Sequence, residues 1–244
     1  MATHISRHFH AQGQRIICIY SRNIESAERL AGELGSVATS AFDQIPQKAD
    51  FFIFCVPDHA VPELAEQFKG REGTWLHTAG ALPMDVFQGI TEEFGVLYPL
   101  QSLSRDRKVR MGHIPFLVEA SSPRVLARIT DLACSISERV EEVDSSKRLR
   151  VHLSAVFANN FSNHMQLVAQ KILKEEGLDP GLLGPLLEET FHKLKEMDAG
   201  SAQTGPAVRG DQEIMNKHIE LLKDHPEWEK LYTFISRDIE RSRE

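Results

Sequence analysis

The run Asp50-Phe51-Phe52-Ile53-Phe54-Cys55-Val56, closed by Pro57, constrains this chain more than any other stretch. It is apolar without a break, too short for a buried helix, and lacks the polar alternation of a sheet with one wet face. A strand of that kind is covered on both sides, as in parallel sheets whose crossover helices pack on either face. Residues 15–20, Arg-Ile-Ile-Cys-Ile-Tyr, repeat the pattern, and shorter strand signals follow at 36–39, 74–77, 95–98, 114–119 and 139–143. Helical periodicity fills the intervals: 2–12 closed by Gly13, 24–34, 59–68 and 122–137, with a short turn at 42–45 and Pro83 opening another helix at its first position. Strands alternating with helices predict an α/β domain with a doubly wound, mostly parallel sheet. Beyond Asp144 strand signals stop, and helices are expected over 145–177, 180–197, 211–222 and 228–239. The expected organisation is therefore a sheet domain over 1–143 and an all-α domain over 144–244.

A chain of 244 residues has room for two ordinary domains. Its net charge of −7 argues against a broad nucleic-acid footprint, and no basic stripe interleaved with aromatics is present. The one dense basic cluster, Lys147-Arg148-Leu149-Arg150, reads as a solvated first helical turn. No apolar run reaches the roughly 20 residues that span a bilayer, and the N-terminus is too polar for a signal peptide. Cys18, Cys55 and Cys134 are widely spaced in apolar surroundings and read as buried thiols of a cytoplasmic protein. The 11 histidines form no ligand-spaced cluster, so no metal site is expected.

The segment 145–177 carries the second informative pattern. Leu149, Leu153, Val156, Phe157, Phe161, Met165, Val168 and Ile172 recur at helical spacing, which predicts a long, largely buried helix. Polar groups should be scarce there, because each costs on the order of 1–3 kcal/mol if left unpaired. Yet His152, Asn159 and Asn163 fall within about 40° of one another on an ideal helix, with Asn160 and His164 on the adjoining flank. A row of imidazole and amide groups on an apolar helix predicts a ligand-facing surface.

Open parallel sheets bind ligands at the carboxyl ends of their strands. A dinucleotide-binding sheet also carries Gly-x-Gly-x-x-Gly after its first strand, and no such motif occurs in this sequence. Met1-Ala2-Thr3-His4-Ile5 reads as the inside of the first helix with no strand before it. Either the first strand and its glycine turn are missing, or the fold is another α/β type whose sheet starts at Arg15. The remaining strand ends carry the cofactor evidence. Ser21-Arg22-Asn23 offers a cation and no acid where NAD would want a carboxylate, which points to the 2′-phosphate of NADP, with NAD as the alternative. Val56, Pro57 and Asp58 end another strand, Asp58 being placed to touch a ribose or to cap a helix. His77 and Thr78 close a third, where the nicotinamide would lie and a His could donate a proton. The turn 204–211 places Thr204 and Arg209 as candidate grips for an anionic substrate group, and Asp211 as a helix cap.

On the pieces Ala2-Thr3-His4, Tyr20-Ser21-Arg22, His77-Thr78-Ala79-Gly80, Tyr98-Pro99-Leu100-Gln101-Ser102 and Glu119-Ala120-Ser121-Ser122, the chain resembles bacterial Rossmann-like oxidoreductases with a helical C-terminal domain of uncharacterised function. His152-Leu153-Ser154-Ala155-Val156-Phe157, Asn160-Phe161-Ser162-Asn163-His164 and Ala202-Gln203-Thr204-Gly205-Pro206-Ala207 extend the resemblance over essentially the whole chain. Members usually begin with a further strand and a glycine-rich turn, which this sequence lacks. More distantly the layout is similar to pyrroline-5-carboxylate reductases and deazaflavin-dependent NADP oxidoreductases. That similarity implies a C-terminal domain that helps form the substrate pocket and a homodimer.

The function expected from these readings is NADP-dependent reduction of a small carbonyl or imine by hydride transfer. His152, His77, Asn159 and Asn163 would be the catalytic residues, and Thr78, Asn160, Thr204 and Arg209 the substrate-binding ones. Ser21, Arg22, Asn23, Val56, Pro57 and Asp58 would face the cofactor. The rival reading is a non-catalytic scaffold for ligand sensing or dimerisation that binds no dinucleotide. No membrane or nucleic-acid partner is expected.

Overall fold

The computed structural model describes residues 1–104, 107 and 109–242. The sheet region runs α1 (Ala2–Ala11), β1 (Cys18–Tyr20), α2 (Ile24–Leu34), β2 (Val37–Thr39), β3 (Lys48–Phe54), α3 (Val61–Phe68), β4 (Glu72–His77), β5 (Phe94–Pro99), β6 (Phe116–Ala120), α4 (Pro123–Cys134) and β7 (Val140–Glu142). Then come α5 (Ser145–Ala155), a π-helical turn (Val156–Phe161), α6 (Ser162–Glu175), α7 (Gly184–Glu196), α8 (Ala199–Ala202), α9 (Pro206–Arg209), α10 (Gln212–Leu221) and α11 (Pro226–Arg241). This is the expected mixed α/β architecture with a helical C-terminal region.

The local reasons are those the sequence supplies. Asn23 caps α2 by accepting from Ser26 N, and Gly35 ends it in the left-handed conformation at φ 62°. Ser122 caps α4 ahead of Pro123 at its first position. Asp144 caps α5 by accepting from Lys147 N.

Two sheets are formed. β1 pairs in parallel with β2, and the second sheet has the order β3-β4-β5-β6-β7. β3, β4 and β5 are parallel, whereas β6 runs antiparallel to β5 and parallel to β7. Among the described residues between β5 and β6 the one helical segment is the turn Met111–His113, and the strand direction reverses across this connection. β1 and β3 are not hydrogen-bonded to each other, and the two sheets are separate. β1 and β3 flank a cavity of about 730 Å³ lined by Ile5 and Phe9 of α1, Ile17, Ile19, Phe51 and Ile53.

Alternation along β4 sends Trp75 and Leu76 to opposite faces. Leu76 joins Ile5, Phe9, Leu97, Phe116 and Ile129 in one core. Trp75 joins an aromatic cluster of Phe52, Phe54, Phe68 and Phe87 in the other, with ring centroids 5.1 to 6.4 Å apart. Each such ring contributes about 1.5–3 kcal/mol of burial, which anchors the carboxyl halves of β3 and β4.

The chain divides into two compact units, Met1–Asn160 and Phe161–Glu244; the sequence had placed the division at 143/144. Within the second unit, Ala207 and Met215 are the buried residues among those described, while Leu182, Leu186 and Phe191 are exposed.

Three expectations need correction. The segment 145–177 is not a largely buried uniform helix: Arg148 is its one buried residue, and a π turn interrupts it. Apolar periodicity identifies a face that can be covered; it does not supply the cover. Arg148 is also not part of a solvated cluster, being 1% exposed, whereas Lys147 and Arg150 are solvated. The cysteines are free but not buried as a set: Cys134 is exposed and Cys18 and Cys55 are half-buried. Cys134 is the last residue of α4 and is exposed although its neighbour Ala133 is buried.

Candidate functional site

β4 runs from exposed Glu72 to buried His77, and the carboxyl end of β4 lies between those of β3 and β5. His77 is fully buried and packs on Phe87 with ring centroids 5.8 Å apart. Its Nδ1 accepts from Ala79 N at 3.2 Å, which leaves the ring proton on Nε2. Burial, and then the positive charge of Arg148, lowers its pKa to about 4 against a weak upward pull from the Pro83 backbone. His77 is thus a neutral ring holding the turn after β4. Thr78, also buried, donates from Oγ1 to the Phe54 carbonyl at 3.4 Å and ties the ends of β3 and β4 together.

The turn ends at Gly80, where a strand residue and a helix residue converge. Tyr98 near the end of β5 meets His152 of α5, with Oη and Nδ1 3.1 Å apart and the rings in an edge arrangement at 73°. In the Nε2–H tautomer of His152, the tyrosine O–H donates to Nδ1. Only a glycine fits opposite this pair. A β-carbon at position 80 would lie 2.5 Å from His152 Nδ1 and 2.9 Å from Tyr98 Cζ. Burial raises the Tyr98 pKa above the ordinary phenol value; the Arg148 charge pulls it down and Asp58 pushes it up. At neutral pH Tyr98 is therefore a protonated phenol, able to give a proton and not to take one.

A buried polar cluster lies one helical turn before His152. Arg148 pairs through Nη1 with Glu119 Oε2 of β6 and donates from Nη2 to the Leu82 carbonyl at 2.6 Å and to Ser145 Oγ at 3.1 Å. Ser145 Oγ donates to Glu119 Oε2 at 2.7 Å and accepts from Met84 N at 3.0 Å. Ser145 N donates to Glu119 Oε1 at 3.0 Å. Three segments, the 81–84 loop, β6 and the start of α5, are locked together by these bonds.

The other anticipated residues are distributed as follows. Ser21 Oγ accepts from Asn23 N, and the Asn23 side chain is occupied as the α2 cap, which leaves Arg22 as the exposed cation after β1. Val56 is half-buried, and Pro57 and Asp58 are exposed at the end of β3. Asp58 opens a short 3-10 turn whose cap position is Pro57, so it does not cap a helix. Asn159 and Asn160 are exposed on the π turn. A count of 100° per residue does not carry across a turn with i→i+5 bonding, so the predicted polar row is broken there. Asn163, His164, Thr204 and Arg209 belong to the second unit and are exposed. Residues 206–209, read as part of a loop, form the short helix α9, and Asp211 caps α10 as expected.

The structure brings His152, His77 and Thr78 to one end of the sheet and adds Tyr98, Gly80, Arg148, Glu119 and Ser145, which sequence reasoning did not assign. Tyr98 had a signal: a phenol at the end of an otherwise apolar strand. Arg148 had none that separated it from its solvated neighbours.

A parallel sheet with a Tyr–His pair among its strand ends, followed by a helical body, is the architecture of Rossmann-like oxidoreductases. Residues 114–239 match the family described as a domain of unknown function, DUF2520, and residues 1–76 match the one described as NADP oxidoreductase, coenzyme F420-dependent. The chain belongs to the DUF2520 family, as a Rossmann-like oxidoreductase-type protein with a helical C-terminal domain. It is 37% identical to a "putative NADP oxidoreductase" from Bacteroides fragilis, over 98% of this chain and 94% of that one, with a TM-score of 0.93. A Thermotoga maritima protein is 25% identical over 99% and 97% of the two chains, with a TM-score of 0.74. An imine reductase from Myxococcus stipitatus in complex with NADP+ is 12% identical, with a TM-score of 0.65 over 99% and 91%, and shares the fold. No curated protein matches.

Proposed function

We propose that this protein is an NADP-dependent oxidoreductase that reduces a small carbonyl or imine substrate. The observation that carries the reading is the Tyr98–His152 pair, 3.1 Å apart against Gly80 at the carboxyl end of the parallel strands. The family description and the NADP+ complex of the imine reductase with the same fold support it.

The strand ends suit a phosphorylated dinucleotide. Arg22 is an exposed cation after β1, able to hold a 2′-phosphate through its planar fork. Asp58 is exposed after β3 for a ribose hydroxyl. NADPH, when bound, supplies the hydride.

The chain's own part is the proton. As the substrate carbon gains a hydride, the C=O or C=N electron pair moves to the heteroatom, which takes the proton from Tyr98 Oη. Solvent then returns a proton to the Tyr98 oxygen, which His152 keeps in place as the acceptor at Nδ1. A phenol that burial keeps protonated at neutral pH still carries the proton that this role requires. Asn159 and Asn160, presented on the π turn, are the amides proposed to orient the substrate.

A second copy of the chain is proposed to cover the helical unit. A helical body with two buried residues among those described has little core of its own, and Leu182, Leu186 and Phe191 offer an apolar surface to a partner.

The function is tested by NADPH oxidation with a panel of small ketones and cyclic imines. Activity with at least one member, lost in Tyr98→Phe and His152→Gln while NADPH still raises the thermal midpoint, supports the reading. No turnover with any member and no midpoint shift with NADPH or NADH would leave the non-catalytic scaffold in its place.

A further inference from the structure

We propose that Arg148 is the positioning residue of the Tyr98–His152 pair, its buried guanidinium clamping the 81–84 loop and Glu119 to the start of α5 so that His152 stands against Tyr98 and Gly80. The catalytic meaning of this assignment rests on the function proposed above; the positioning itself does not.

The argument is geometric. Arg148 and His152 are four residues apart on α5 and so share a helix face. Without Arg148, the rotation and depth of that face against the sheet would depend on exposed or half-buried apolar contacts, since Leu149 and Leu153 point outward at 49% and 54% exposure. The guanidinium instead makes bonds to three separate segments: a carboxylate on β6, a carbonyl in the loop after β4, and the hydroxyl that opens its own helix. The loop carbonyl it grips, Leu82, is two residues from Gly80, the position packed against both rings of the pair. One side chain therefore sets both walls between which Tyr98 and His152 meet.

Its charge also reaches the site. The ionisable and charged groups around the pair are Arg148 on α5, Glu119 on β6, His77 on β4 and Asp58 after β3. Of these, Arg148 pulls the Tyr98 proton affinity down and Asp58 pushes it up.

A buried ion pair that only filled space would be replaceable by an apolar side chain of similar volume. The clamp differs from that case, because its partners are the turns that carry the site. Arg148→Lys retains the charge and loses the fork, whereas Arg148→Met loses both.

The test uses the full chain with labelled histidine. The Nδ1 nitrogen resonance of His152, assigned by its absence in His152→Gln, reports the bond to Tyr98. Tyrosinate absorbance, assigned by difference against Tyr98→Phe, reports the phenol. The bond signal is expected to be lost in both Arg148 variants, and tyrosinate formation in Arg148→Met to move to higher pH than in Arg148→Lys. With a substrate found by the panel, kcat should fall on the order of 100-fold at nearly unchanged KM, the penalty of about 1 Å of misplacement. Folded Arg148→Lys with the wild-type His152 resonance overturns the proposal. If neither Arg148 variant folds, Glu119→Ala removes the carboxylate against which the guanidinium is held; an unchanged His152 resonance in that folded variant overturns the proposal. Absence of any reductase activity would refute the function, while the two spectroscopic readouts would still decide the positioning.

Discussion

Replacing Gly80 by Ala adds one methyl group at the most crowded point of the site. Its carbon would lie 2.5 Å from His152 Nδ1, 2.8 Å from His152 Cγ and 2.9 Å from Tyr98 Cζ. Carbon contacts are favourable at about 3.5–4.0 Å, so both rings must retreat by roughly an ångström. Tyr98 is buried on β5 and cannot move without disturbing Val96 and Leu117 beside it, so His152 on the half-buried α5 is the ring that yields. The expected stability loss is about 1–3 kcal/mol, the usual cost of one excess methyl in a packed site. Reductase turnover should fall on the order of 100-fold, because the donor pair is parted. Gly32→Ala is the internal control. It lies inside α2 with nothing within 4 Å of the added carbon, and should stabilise the protein by roughly 0.5–1 kcal/mol. Urea denaturation of both variants, with NADPH oxidation measured on each, gives the comparison. Wild-type stability and turnover in Gly80→Ala would refute the packing of the Tyr98–His152 pair and with it the proposed proton donor.

His77 makes stability pH-dependent in a defined direction. Its pKa is 6.5 unfolded and about 4 folded, so between those values the unfolded chain takes up a proton that the folded one refuses, and stability falls as pH drops through that window. The full difference corresponds to about 3 kcal/mol, and above pH 6.5 there is no contribution. Denaturant titrations from pH 7 to 4 should show a shallower decline for His77→Gln than for wild type, and parallel curves would remove His77 as the cause. Arg22→Glu should invert any preference for NADPH over NADH in thermal-shift titrations, whereas Asn23→Ala should cost about 1 kcal/mol of stability through loss of the α2 cap and leave that preference intact. Leu186→Glu should shift sedimentation from dimer towards monomer, and a wild-type profile that is monomeric at the outset would rule out the second copy as the cover.

Local chemistry decided a great deal in advance. The apolar runs at 16–20 and 51–56 announced strands, although β1 is half-buried throughout and β3 buries only alternate residues, and the caps at Asn23, Ser122, Asp144 and Asp211 are short-range hydrogen bonds between neighbours in the chain. His77, Thr78 and Arg22 were likewise recognisable, because the end of a parallel strand is a position that sequence order defines. Tertiary structure alone decided the rest. Lys147, Arg148 and Arg150 look alike in sequence, yet only Arg148 finds Glu119, 29 residues earlier on β6, and is buried by it. Tyr98 and His152 meet across 54 residues of chain, over a glycine that belongs to neither element. The π turn over Val156–Phe161 takes the helix off the 100° count on which the expected row of His152 and Asn159 rested, since helical phase depends on every hydrogen bond between two residues. Apolar periodicity, finally, told which sides of the helices could be covered, and a pattern along one chain carries no information about what lies across from it.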